Sequence, residues 1–322
     1  MADAIADKEI LRLENILRDA VDPRIQGIHI KGIEGFKSGP IILVRIPKSW
    51  AAPHMVKFKN ASRFFTRTSA GKHQMDVREI RSAFIASQSL ADKIAAFRSE
   101  RVAKILTGET PTKLAEFPKI ILHYLPLRAF SEPVALDLQA VYNSWDPNLK
   151  PMGNVNQYES PRFNLQGLWL SGSGTQRRVD QTIGYIQLFR NGAFESVCLG
   201  WTHEKILSGQ ALEQELMKHG PRYIKLLTEL DPGPAFIALS IVSAKGFALM
   251  PSLNPDPYLS WHQVTPFQED VLLAPEVLKE ESQTNLGVLL KPALDTFWQA
   301  SGWPGSQGYG EDGKWIGYAP RR

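Results

Sequence analysis

Apolar positions in the first hundred residues change period several times, and each change marks an element. From Lys8 to Ala20 they recur at helical spacing, with Ile10, Leu13, Ile16 and Leu17 on one stripe, and Asp22-Pro23 ends the run. Two strands are then expected, near 27–33 and 40–46, separated by the turn-prone EGFKSG. The second strand, IILVRI, is nearly all apolar and largely β-branched, which predicts a central strand buried on both faces. A third is expected at 63–68. Asp76 followed three residues later by Glu79 is a capping box, opening a helix with Val77, Ile80 and Phe84 on its stripe. Ser89-Leu90-Ala91-Asp92 repeats the signal loosely and predicts a second helix carrying Leu90, Ile94, Phe97 and Ile105. Arg101 interrupts that stripe, and Lys93, Arg98 and Lys104 flank it. Gly108 and Pro111 stop the helix, which places a domain boundary near residue 110.

The rest of the chain is strand-rich. KIILHYLPL and PVALDLQAV read as strands, and RFNLQGLWL alternates with a period near two. In TIGYIQLFRNGAFESVCLG, Asn191-Gly192 predicts a hairpin with a type I′ turn. A helical region is expected over 204–230 with an interruption at Gly220-Pro221, then a buried strand in AFIALSIVSA. Further helices are expected at about 270–280 and 286–300. The expected class is α+β: an α/β domain over 1–110 followed by a strand-rich α+β domain over 111–322.

A length of 322 residues suggests two domains, and a hydrophobic content of 43% is ample for packed cores. The one cysteine, Cys198, excludes an internal disulfide and a cysteine-rich zinc site, and its setting, SVCLG, is that of a core residue. No apolar run approaches the ~20 residues of a membrane span, and MADAIADKEILRLE lacks the features of a signal peptide. A cytoplasmic protein without a membrane partner is expected.

Charge changes the picture more. Residues 1–110 carry 19 basic and 12 acidic side chains, whereas 111–322 carry 18 and 21. From Arg45 to Ile105 there are 13 Lys or Arg against 4 Asp or Glu. An excess of this size makes a polyanion the expected partner, since each neutralised phosphate releases condensed counterions. Strand alternation puts Arg63, Phe65 and Arg67 on one face and Phe64 and Thr66 on the other. Arginine suits phosphate because its planar fork bonds two oxygens at once, and an exposed Phe65 could stack a base. SAGKH at 69–73 reads as a flexible turn carrying Lys72. The candidate phosphate contacts are therefore Lys57, Lys59, Arg63, Arg67 and Lys72, with His54 shaping the preceding loop. If about four of them engage duplex DNA, log K should fall with log salt at a slope near −3.6.

Other candidates carry less. The seven histidines show no local metal-ligand spacing. SGSGT at 171–175 reads as a flexible turn before Arg177 and Arg178. Gly308, Gly310 and Gly313 match G-x-G-x-x-G by spacing, but only nine residues follow Gly313, too few for a dinucleotide-binding unit. A C-terminal arm docked through Trp315 and Tyr318 is the better expectation. Asp137, Asp146, Asp180 and Glu195 have no predictive spacing, G-x-S-x-G and H-E-x-x-H do not occur, and no cofactor is implied.

DPRIQGIHIKG, IILVRIP, Pro53-His54 and RFFTRTSAGK before DVREIR follow one another between Asp22 and Phe84. In order and spacing this run, about a fifth of the chain, resembles the later part of the Schlafen-type AlbA domain (AlbA_2), a nucleic-acid-binding domain of bacterial regulators and Schlafen proteins. The resemblance implies an AlbA_2-like domain incomplete at its N-terminus. The family's opening Glu-bearing E-F-K segment with its helix, and its Gly-Gly strand leading to G-V, have no counterpart here. Schlafen proteins that cleave RNA are expected to hold metal with carboxylates from that earlier region, so nuclease activity is not carried over. A missing leading strand is expected to leave a sheet edge and apolar surface open to a second copy or a partner protein. The expected function is a regulatory or defence-related protein that binds DNA or RNA without catalysis of its own. The alternative is a nuclease or nucleotide hydrolase whose site is completed by another chain or lies in 111–322.

Overall fold

The computed structural model describes residues 2–25, 28–36, 39–46, 49, 51–68, 71–131, 135–153, 155, 157–173, 182–253, 264–280 and 285–318. Arg177, Arg178, Asp180 and His262 lie outside them, as do Gly174-Thr175 and Ser69-Ala70 from the two glycine-bearing turns. The chain forms two compact units, Met1–Ala95 and Ala96–Arg322. Helices and strands both recur through the chain, which makes it an α+β protein. Among the described residues no helix is long and apolar enough to cross a membrane.

The first unit runs α1 (Ala2–Ala20), β1 (Val21–Asp22), β2 (His29–Ile33), β3 (Ile41–Arg45), β4 (Met55–Phe58), β5 (Ala61–Thr68), β6 (Gly71–Gln74) and the start of α2 (Val77–Thr107). The capping box is present. Asp76 Oδ1 accepts from Glu79 N at 2.8 Å, and Glu79 Oε2 accepts from Asp76 N at 2.9 Å. The expected second helix is not separate: Ser89–Asp92 lies inside α2, and Asp92 accepts an i,i+4 bond from Gln88 instead of capping a new start. The division at 95/96 therefore falls within this helix rather than near 110.

β2 and β3 form a two-stranded antiparallel sheet in the register His29↔Arg45 to Ile33↔Ile41. Gly32 approaches α1 closely enough that a Cβ there would touch Ile10 and Ala6. The expectation of a doubly buried central strand fails at β3, where Ile41 is 47% and Leu43 53% exposed. An apolar β-branched run reports strand propensity, not how many neighbours the strand will find. β1, β4, β5 and β6 form a separate four-stranded sheet in that order.

The second unit is built on an antiparallel nine-stranded sheet. Its strands are β7 (Lys119–Pro126), β8 (Gln157–Tyr158), β9 (Arg162–Phe163), β10 (Gly167–Ser173), β11 (Thr182–Phe189), β12 (Phe194–Leu199), β15 (Ala235–Val242), β17 (Val271–Leu273) and β18 (Val277–Lys279). Helices α3 (Leu127–Ser131), α4 (Leu138–Asn143), α5 (Gly209–Leu230) and α6 (Leu286–Ala300) accompany a small sheet of β13 (Thr202–His203), β14 (Ile206–Ser208) and β16 (Ala248–Met250). Strand alternation gives the large sheet two buried faces. Ile120, Leu122, Leu239 and Ile241 pack with Leu216 and Ile224 of α5 and Leu290 and Leu294 of α6. Ile121, Tyr185, Val197 and Val242 pack with Val102 and Ile105, so the end of α2 belongs to this unit's core.

Several expectations change here. Part of PVALDLQAV becomes α4, because Asp137 caps it by accepting from Ala140 N. α5 runs through Pro221 without a break, since packing of Leu216, Tyr223 and Ile224 outweighs one lost backbone bond. The helix expected at 270–280 is the strand pair β17 and β18. The Asn191-Gly192 hairpin forms, but only Gly192 has positive φ, so the turn is not type I′.

Candidate nucleic-acid interface

The basic-aromatic strand is β5, the centre of a hairpin pair with β4 before it and β6 after it. β4 and β5 join through Lys59-Asn60, with φ of 45° and 62°, the two left-handed residues of a type I′ turn. Asparagine tolerates that region because its short amide satisfies nearby backbone. The register is Met55↔Phe64 and Val56↔Arg63 on one side, Phe65↔Gln74 and Arg67↔Lys72 on the other. Directly opposed residues share a face, so Val56, Phe58, Arg63, Phe65, Arg67, Lys72 and Gln74 lie together. Met55, Lys57, Phe64, Thr66 and His73 lie on the reverse.

The reverse side meets α2. Phe64 packs edge-on against Phe84 at 6.1 Å, His73 Nε2 lies 2.9 Å from Glu79 Oε1, and Met75 N donates to Phe64 O. The other side is open: Arg63, Arg67 and Lys72 are exposed, Phe65 is 40% exposed and Phe58 68%. Lys72 Nζ lies 5.8 Å from the Phe65 ring centre and Lys59 Nζ 5.4 Å from that of Phe58. None of Lys59, Arg63, Arg67 and Lys72 has a carboxylate partner among the described residues. Arg67 and Lys72 stand directly opposite each other, a like-charge pairing that works against the sheet unless an anion lies across it.

Not every predicted residue joins this face. Lys57 points to the reverse, where Nζ contacts Asp22 Oδ2 at 2.6 Å, so its charge is answered within the unit. His54 precedes β4 and its Nδ1 lies 2.5 Å from Pro23 O, tying the exit of β1 to the entry of β4. Lys72 sits in β6 rather than in a loose turn, and this brings it across from Arg67. Sequence reading missed β4 and with it Phe58. The signal was present: MVKF and ASRFF flank a two-residue Lys-Asn link of hairpin length.

Three cations later in the basic stretch, Arg98, Arg101 and Lys104, have other uses. Arg101 donates Nε and Nη2 to the two oxygens of Glu195, both at 2.9 Å, and Glu195 also accepts from Tyr185 at 2.8 Å and contacts His123 Nε2 at 3.0 Å. Arg98 donates to Leu239 O and Ala274 O and pairs with Glu276. Burial alone would raise the Glu195 pKa, but the bonds from His123 and Arg101 outweigh it and hold it at about 2. These groups are sealed in the sheet and anchor α2 to it. Lys104 pairs with Glu100 on the helix surface.

Asp137 and Asp146 are engaged by local turns, at Ala140 N and Asn148 N respectively. Cys198 is buried, and burial pushes its thiol pKa up. The glycine-spaced arm docks as expected through Trp315, whose Nε1 donates to Glu213 Oε2 at 3.2 Å, beside Trp298 Nε1 at 2.8 Å from Oε1. Gly308 lies against that carboxylate, where a Cβ would come within 2.3 Å. Among the described residues no group of three or more His, Cys, Asp or Glu is placed to hold a metal ion.

Compared with protein-family models, with curated proteins and with solved structures, the chain matches none.

Proposed function

We propose that residues 1–95 bind nucleic acid through the open face of the β4–β5–β6 sheet, with Lys59, Arg63, Arg67 and Lys72 on phosphates. One observation carries the reading: Arg63, Arg67 and Lys72 share a sheet face with Lys59 in the turn at its end, all four exposed and without a carboxylate partner among the described residues, and Arg67 and Lys72 directly opposed. A regular anionic polymer relieves that repulsion. Alternate residues of β5 recur about every 7 Å, so Arg63 and Arg67 present a row of charge rather than one anion pocket. Among the described residues the face offers no carboxylate, imidazole or hydroxyl to act on a phosphodiester, which favours binding over cleavage there. The AlbA_2-like resemblance supports the same reading, since the segment that carries it includes β5 and the start of α2.

The test is fluorescence anisotropy with labelled oligonucleotides over a range of salt. Four phosphate contacts predict log K against log salt with a slope near −3.6 on a duplex or −2.8 on a single strand. Arg67→Glu with Lys72→Glu should weaken binding to all sequences alike, because phosphate contacts position without reading bases. It should also flatten the slope by about 1.4 to 1.8. An affinity indifferent to salt, or to this double change, would sink the reading.

A further inference from the structure

The same face exposes two flat aromatic rings that charge alone does not explain. Resting on the reading above, we infer that its polymer is single-stranded, with bases stacked on Phe58 and Phe65 while the cations hold the backbone. Each ring stands beside cations on one surface: Phe65 lies between Arg63 and Arg67 along β5, and Phe58 is adjacent to Ala61 at the turn end. Phe65 is four residue steps along β5 from Ala61, so the rings sit about 13 Å apart along the strand with Arg63 between them. Aromatic, cation, aromatic, cation is the order an extended strand needs, because base and phosphate alternate along it.

A duplex cannot use this arrangement. Its bases already cover one another, and it offers a sheet surface only backbone or groove edges, so neither ring would find a π face. The rings have no better claim within the unit. Phe64, on the reverse, packs against Phe84, whereas Phe58 and Phe65 keep their exposure and have the ammonium groups of Lys59 and Lys72 near their rings. An exposed ammonium-ring contact is weaker than base stacking on the same ring. A base therefore displaces each lysine, which swings to the neighbouring phosphate. DNA and RNA share this chemistry, and the arms of the test separate them.

The experiment measures anisotropy of the full chain with four labelled probes of equal length: oligothymidylate, oligouridylate, a sugar-phosphate strand without bases, and a DNA duplex. The expected result is at least tenfold tighter binding of one or both base-bearing single strands than of the abasic strand or the duplex. Phe58→Leu with Phe65→Leu keeps apolar bulk but removes the flat rings. It should bring single-strand affinity down to the abasic level while leaving the salt slope unchanged. Abasic or duplex probes binding as tightly as the single strands would overturn the stacking inference and leave the basic face standing. So would a leucine variant, unaltered in circular dichroism, that binds as before. Failure of all four probes would overturn the basic-face reading itself.

Discussion

At the scale of single residues, the decisive distinction is between cations that are answered and cations that are not. Composition treats Arg101 and Arg67 alike. Arg101 meets Glu195 in a buried bidentate pair, whereas Arg67 faces Lys72 in solvent. Removing one partner of a buried pair leaves an uncompensated charge, so Glu195→Gln should cost about 3–5 kcal/mol in urea unfolding. The pH dependence has a definite sign. The folded pKa of about 2 lies below the ordinary 4.5, so this contribution is complete above pH 4.5 and is lost as pH falls toward 2. The variant should lose its part of that acid limb. An unchanged limb would mean that other carboxylates carry it. None of this was legible in the basic stretch, because the partner carboxylate stands 94 residues away in sequence.

Elements follow local chemistry where that chemistry is strong, and tertiary packing elsewhere. The capping box at Asp76, the strands β7 and β15, and helix α6 all stand where pattern puts them. α4 and the pair β17 and β18 do not, since short mixed runs carry little periodicity and neighbours decide. α5 and α6 are held together by close approach. A Cβ at Gly209 would lie 2.3 Å from the Trp298 ring, which is fully buried and hydrogen-bonded to Glu213 and so cannot step aside. Gly209→Ala should therefore cost about 1–3 kcal/mol by overpacking. A urea midpoint equal to that of the unaltered chain would show that α5 shifts freely, contrary to this packing.

For the molecule as a whole, burial is unevenly shared. The second unit encloses a packed cluster on each face of its large sheet, but in the first only Ala6, Pro53 and Ile94 are buried among the described residues. Ile33, Ile41 and Leu43 lie exposed on one side of the β2–β3 hairpin, and no further strand pairs with it among the described residues. The sequence reading expected an open edge, and this hairpin is where such an edge would take a second copy or a partner strand. Light scattering of the purified chain tests the first option. A concentration-dependent dimer that Leu43→Lys converts to monomer is the expected outcome, and a monomer at every concentration would exclude self-association.

What sequence alone determined is what local physics dictates: the α+β class, the strong elements, the charge asymmetry, and the alternation that sets Arg63, Phe65 and Arg67 on one face. Those follow from periodicity and composition, which need no knowledge of distant neighbours. Tertiary structure decided which charges remain available. It paired Lys57 with Asp22, sealed Arg98 and Arg101 in the second unit, and brought Lys72 across from Arg67. It also added Phe58 to the open face through an unforeseen two-residue turn. Register and pairing are long-range choices, made by the burial and electrostatics of the folded chain.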